Sequence, residues 1–234
     1  MLFSAIISFT VSVTKAIVTL GLAAEGLTAI GNALTAIGKA LGLIRPETQV
    51  EDLGDQALQA EEAGITPDAF DAYEDYVKAV ESFQLDPEKS KQFTPEEKVK
   101  KGIELAIGVT AERFPEVSVE TFSKLSTLVH DYPSIFNEKS MEVLAKKMAS
   151  FSGSADDVIG YLDCTEKNQS KLANGESILT EMIKAAKPGT DAAAARQLLY
   201  NIERGDPQCP AQNYSSQYSK TRSVFSKSRN TISR

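Results

Sequence analysis

Leu27-Thr28-Ala29-Ile30-Gly31-Asn32-Ala33 is followed directly by Leu34-Thr35-Ala36-Ile37-Gly38-Lys39-Ala40, and Leu41-Gly42-Leu43-Ile44 opens a third, degenerate copy. The large residues Leu27, Ile30, Leu34, Ile37, Leu41 and Ile44 step alternately by three and four, and Ile17 and Leu20 carry the same seam backwards. That spacing winds one continuous Leu/Ile stripe along one side of a helix. Gly and Ala flank the stripe, Gly31 and Gly38 among them, and leave room for a second backbone to pack closely. Glu25, Asn32 and Lys39 recur every seven residues and share one polar face. The repeat predicts a long, apolar, heptad-patterned helix inside an N-terminal segment of residues 1–46.

Three surroundings suit such a helix: the chain's own core, a copy of itself or a partner helix, and a bilayer. Glycine weakens an isolated helix by about 0.5–1 kcal/mol relative to Ala. Small residues become useful only where another helix comes close, as at membrane helix interfaces. Residues 16–44 as one helix would run roughly 43 Å, longer than the ~30 Å hydrocarbon core. Glu25 lies inside that run, and a lone carboxylate there is costly without a partner. A simple single-pass anchor is therefore disfavoured. An oligomeric or conditional insertion fits Glu25 and Asn32 better.

Residues 1–14 alternate Phe3, Ala5, Ile7, Phe9, Val11 and Val13 with Ser4, Ser8, Thr10, Ser12 and Thr14. Alternation suits a strand, but Leu2 and Ile6 break it and the stretch runs unbroken into the helical repeat, so helix is favoured. A cleaved secretory leader is the rival, with Ala23-Ala24 as the small-residue site; no basic residue precedes the apolar run before Lys15.

Outward from the repeat the composition changes. Residues 1–44 hold 27 apolar residues and three charges, whereas the 234-residue chain averages 42% apolar with a net charge of -7. Residues 211–234 hold Lys220, Arg222, Lys227, Arg229 and Arg234, seven serines and no acid. That composition predicts a disordered basic tail, suited to an acidic partner or anionic lipid. The apolar fraction excludes a wholly disordered chain, and two cysteines exclude a disulfide scaffold. An acidic chain disfavours nucleic acid as a partner of the body.

Start and stop signals divide the middle into helices. Arg45-Pro46 ends the first. Glu47–Ala63 reads as a helix closed by Gly64, and Thr66-Pro67-Asp68 as the start of another with Phe70, Tyr73, Val77 and Val80 inward. Asp86-Pro87 punctuates. Thr94-Pro95-Glu96-Glu97 is a capping box before a helix burying Val99, Ile103, Ala106 and Ile107. Ser118 caps a helix with Phe122, Leu125 and Val129 inward. Further helices carry Met141, Leu144 and Met148; then Val158, Ile159 and Leu162; then Leu172, Leu179, Met182 and Ile183; then Leu198, Leu199 and Ile202. No hairpin or strand–helix alternation appears, so the expected fold is an all-α multi-helix bundle. The expected division is an apolar segment at 1–46, a small acidic helical unit at 47–92, a helical bundle at 93–208 and the tail at 209–234.

Chemistry is sparse. One histidine, His130, and two unpaired-spacing cysteines, Cys164 and Cys209, make no metal site. No phosphate-binding glycine loop is present, and Gly38-Lys39-Ala40 lacks the needed hydroxyl. Nothing in the sequence joins Cys164 to His130 as a nucleophile pair, and the paired acids read as solvated faces. A Cys164–Cys209 disulfide stays open, as do the acceptor patterns Asn168-Gln169-Ser170 and Asn213-Tyr214-Ser215. No cofactor is expected. The expected function is that of a non-enzymatic helical assembly protein, a component of a secretion, injection or virus-particle type of machine, associating through residues 16–44. The alternative is a membrane-active secreted effector or pore former whose bundle shields the N-terminal helix until a membrane is met. Either places the protein at a membrane or within a large assembly. Ile30→Asp and Ile37→Asp are expected to abolish association while leaving the body folded.

Overall fold

The computed structural model describes residues 3–164 and 166–203. Among them every regular element is helical: α1 (Phe3–Val18), α2 (Ala24–Ala40), α3 (Val50–Glu62), α4 (Tyr73–Glu81), α5 (Pro87–Ser90), α6 (Pro95–Arg113), α7 (Val119–Asp131), α8 (Glu138–Ser150), α9 (Ser154–Leu162), α10 (Gln169–Ala186) and α11 (Ala192–Glu203). The all-α multi-helix reading holds. The basic tail lies outside the described residues.

The single long heptad helix does not form. The run is divided between Val18 and Ala24, where Gly21 adopts φ +65 after a tightened last turn, with Leu20 N–H donating to the Ile17 carbonyl and Gly21 N–H to that of Val18. Glycine occupies that conformation without steric cost, so the chain turns there rather than continuing the helix. The third repeat copy is not helical either. Gly42, φ +71, ends α2 in a Schellman motif: Leu43 N–H reaches the Gly38 carbonyl at 2.9 Å and Gly42 N–H that of Lys39 at 3.0 Å. α3 closes the same way at Gly64, with Ile65 N–H on the Ala60 carbonyl at 2.9 Å.

Two helices occupy the centre. α2 packs against α6, α8, α7 and α3, and α6 against α3, α2, α1 and α4. α2 is apolar nearly all round, and α6 is so over Leu105–Ala111, the pattern of a helix stretch enclosed by others. α2 buries Leu27, Ile30, Gly31 and the unbroken run Ala33–Gly38; α6 buries Val99, Gly102, Ile103 and the run Leu105–Ala111. α1 lies on α6 and α7, where Phe9 meets Phe122 edge to face at 5.8 Å. α10 joins α8, α9 and α11 on the far side.

The caps read from the sequence are formed at Thr94, whose hydroxyl accepts from Glu97 N–H at 3.2 Å while the Glu97 carboxylate accepts from Thr94 N–H at 2.8 Å, and at Ser118, which accepts from Thr121 N–H at 3.1 Å. The expected helix at Thr66 is a correction: Pro67–Ala69 forms only a 3₁₀ turn without a side-chain cap, and α4 begins at Tyr73. Its first amides are capped from a distance. Glu112 of α6 accepts from Tyr73 N–H at 2.8 Å and from Glu74 N–H at 2.9 Å.

α3 is locked to α6 by two ion-pair clusters, the first buried and the second half-buried. Asp55, 5% exposed, pairs with Lys98 at 2.9 Å and accepts from Ser90 and from Gln59. Burial alone would raise the Asp55 carboxyl, but the hydrogen bonds from Ser90, Lys98 and Gln59 outweigh it and hold it below its ordinary value. Glu61 pairs with Lys101 at 2.6 Å and accepts from the hydroxyl of the fully buried Tyr76 at 3.0 Å.

Candidate functional site

The interaction seam read from the sequence is used within the chain. Ile17, Ile30, Leu34, Ile37, Leu27 and Ile44 are at most 2% exposed in the chain's own core, and Leu41 is half-buried. Leu20 departs from the group, standing 42% exposed at the corner between α1 and α2. Gly31 and Gly38 are close-packed, but against side chains of the same chain: Val50 and Ile103 fill the space at Gly31, and Ile44 that at Gly38. The polar face behaves as its spacing implies, with Glu25 exposed and Asn32 and Lys39 half-buried. Lys220, Arg222, Lys227, Arg229 and Arg234 lie outside the described residues.

The surface left open is the outer side of α1. Ile6, Thr10, Val13, Thr14 and Ile17 turn inward, while Ser4, Ser8, Val11, Lys15 and Val18 turn outward in their own three-and-four spacing. Ala5, Ser12 and Thr19 border this second stripe. Of the four large apolar residues exposed among those described, Val11 (51%) and Val18 belong here, Leu20 follows at the α1–α2 corner, and Phe151 lies elsewhere. Lys15 is the sole charge on the helix.

Three hydroxyls along this face are already engaged. Ser8 donates to the Ser4 carbonyl at 3.0 Å, Ser12 to that of Ser8 at 2.7 Å, and Thr19 to that of Ala16 at 2.6 Å. A serine bonded back to its own helix presents its methylene rather than an unpaired donor. Covering this face therefore strips few hydrogen bonds from water, and the usual penalty for burying a hydroxyl is small. Sequence reading missed the face because it took the apolar seam as the contact and treated the serines as strand-like alternation. The signal was present as the second 4, 8, 11, 15, 18 spacing.

Charge is concentrated away from α1. Residues 47–88 hold thirteen acids and one base, Lys78, a net of -12. This segment includes α3 and α4, which meet α6 at Gly102 and Gly108, where Val50 and Tyr73 press on the glycines.

Among the described residues no group of His, Cys, Asp and Glu could hold a metal ion. Cys164 is disulfide-bonded, so it offers no thiolate nucleophile, and Cys209 lies outside the described residues. His130 is about half exposed and sits beside Asp131 at 2.8 Å. Asn168 is exposed and caps α10 through its side-chain oxygen, accepting from Ser170 N–H at 2.9 Å. A depression of about 430 Å³ is lined by Asn137, Glu138, Lys139, Glu142 and Ala186, all at the surface, without the convergent polar groups of a ligand site. Among the described residues no helix is long and apolar enough to cross a membrane. No protein-family model, curated protein or solved structure matches this chain.

Proposed function

We propose that this chain is a non-enzymatic helical assembly protein that associates with another helix through its apolar N-terminal segment, as a component of a multi-protein structure. The observation that carries the reading is the outer face of α1, which exposes Val11 and Val18 on a helix with one charge and is followed at the α1–α2 corner by exposed Leu20. The contact face is therefore this outer side, because the Leu/Ile seam is consumed by the chain's own core. Clustered exposed aliphatics mark interaction surfaces, whereas scattered ones do not. The test is lysine-directed cross-linking in the cells that make the protein, with peptides identified by mass spectrometry. Lys15 joins another polypeptide, and Val11→Glu removes that link. Absence of any interchain link at Lys15 sinks the reading.

A membrane-active role is the second reading, favoured by the enclosure of apolar α2 within a shell of amphipathic helices. In that role the bundle shields α2 until a bilayer is met. Dye release from vesicles of neutral and of anionic lipid tests it; no leakage at neutral or acidic pH rejects it.

A further inference from the structure

We infer that Cys164 and Cys209 of the same chain form a thiol-sensitive clasp that holds α11 against α10, and that reduction of this bond frees α11 while the rest of the bundle stays folded. The clasp stands whether or not α1 has a partner.

The first sign is in the backbone. α2 and α3 are each followed by a residue with positive φ, and both residues are glycines, Gly42 and Gly64. α9 ends the same way at Cys164, φ +58, whose N–H donates to the Tyr161 carbonyl at 3.3 Å. Among the described residues Cys164 is the one non-glycine in the left-handed region. A side chain costs free energy there that glycine avoids, and such outliers mark positions where the side chain has another task. Glycine would suit this backbone better, so the sulfur is the reason for a cysteine here. Cys164 is disulfide-bonded, and the one other cysteine of the chain is Cys209.

The second sign is how lightly α11 is held. It rests on α10 and buries Ala195 and Leu199, with Leu198 and Ile202 half-buried. Arg196 meets Glu176 of α10 at 3.1 Å in an exposed position, where an ion pair contributes little. A helix of twelve residues is marginal in water by itself. α10, by contrast, buries Gly175, Ile178, Leu179, Met182 and Ile183. α11 is therefore the element whose docking a single covalent tie can decide.

Reach and access agree. α11 ends at Glu203, and the six residues from there to Cys209 span at most about 20 Å. A bond to Cys164 keeps the end of α11 near the α9–α10 turn even when the helix lifts. Closing residues 164–209 into a loop removes conformations from the undocked state and so favours docking. Cys164 is half-buried in a surface turn beside exposed Asp163 and residues 167–171, so a small thiol reaches the bond. Its thiolate attacks one sulfur and displaces the other, and a second thiol resolves the mixed disulfide. The exchange delivers two electrons and two protons to the cysteine pair and leaves the reductant as its own disulfide.

The experiment uses the full chain, isolated from the cells that make it with free thiols blocked at lysis. Peptide mapping without reductant finds residues 164 and 209 joined. Hydrogen exchange then compares this chain with the same chain in dithiothreitol at neutral pH. The amides of residues 195–203 lose protection about tenfold or more, while those of α2 and α6 keep theirs. Cys164→Gly separates the bond from the backbone: α11 exchanges fast with or without reductant, and the end of α9 is no less protected. Cys209→Ser is equally indifferent to reductant. Blocked thiols at both cysteines, a link between two chains, or α11 protection unchanged by reductant each overturns the inference. So does loss of protection throughout the bundle, which would make the bond a support of the whole fold.

Discussion

A Cβ on Gly54 would stand 1.7 Å from the carbonyl oxygen of Lys98, so α3 and α6 cross backbone on backbone. Gly102 repeats the relationship from the other helix, 2.0 Å from the Val50 carbonyl. Neither neighbour can give way, being main chain. Gly54→Ala and Gly102→Ala should each destabilise by about 3 kcal/mol or more, read by urea unfolding.

Asp55 makes the fold acid-sensitive. Its carboxyl is held below the ordinary aspartate value of about 3.8, so its contribution is complete above that value and is lost as pH falls through the lower folded one. Stability should decline as pH falls below about 4. Asp55→Asn should flatten that part of the profile and cost about 3 kcal/mol at neutral pH, because Lys98 is left buried without its partner. A thermal-melt series across pH for both chains checks the two effects together.

Glu112 substitutes for a missing local cap. Glu112→Ala should lower stability by about 1–2 kcal/mol. Hydrogen exchange should show the amides of Tyr73 and Glu74 losing protection first. Glu112→Gln, which keeps an acceptor, should lose less.

Among the described residues two hydroxyls are buried without a hydrogen-bond partner, those of Thr14 and Thr35. Replacing an unpartnered hydroxyl by a methyl removes a desolvation cost, so Thr35→Val should stabilise by about 1 kcal/mol. An unchanged or lowered unfolding midpoint would contradict the assignment.

Ile30 and Ile37 are at most 1% exposed, in the middle of the enclosed helix. Ile30→Asp and Ile37→Asp should therefore unfold the chain rather than selectively weaken association. Circular dichroism at neutral pH distinguishes these outcomes, and Val11→Glu is the substitution that spares the fold.

The fold class was legible because its signals are local. Thr94 with Glu97, Ser118 and Gly64 are decided within a few residues, and the structure forms all three. The start of α4 was not legible, because its cap, Glu112, lies 39 positions beyond Tyr73. The α3–α6 crossing was hidden for the same reason. Gly54 and Gly102 look like ordinary weak spots in helices, and only the opposing backbone gives them a purpose. The repeat showed a stripe that must be buried but carried no information about what buries it. Periodicity gives a face and leaves its partner open. The candidate surface was obscured because its serines hide their polarity in their own helix.

The enclosure of α2 has a consequence in time. α2 is made before its partner α8, which begins about 100 residues later, an interval of about 5–20 s at ordinary rates of synthesis. Throughout it the ribosome displays an apolar stretch with its resting place still unwritten. Until α6 and α8 arrive, that stretch lacks the two helices of its own chain that cover most of it. The same sequence that makes the finished core hard to open leaves the newborn chain with an apolar helix long uncovered.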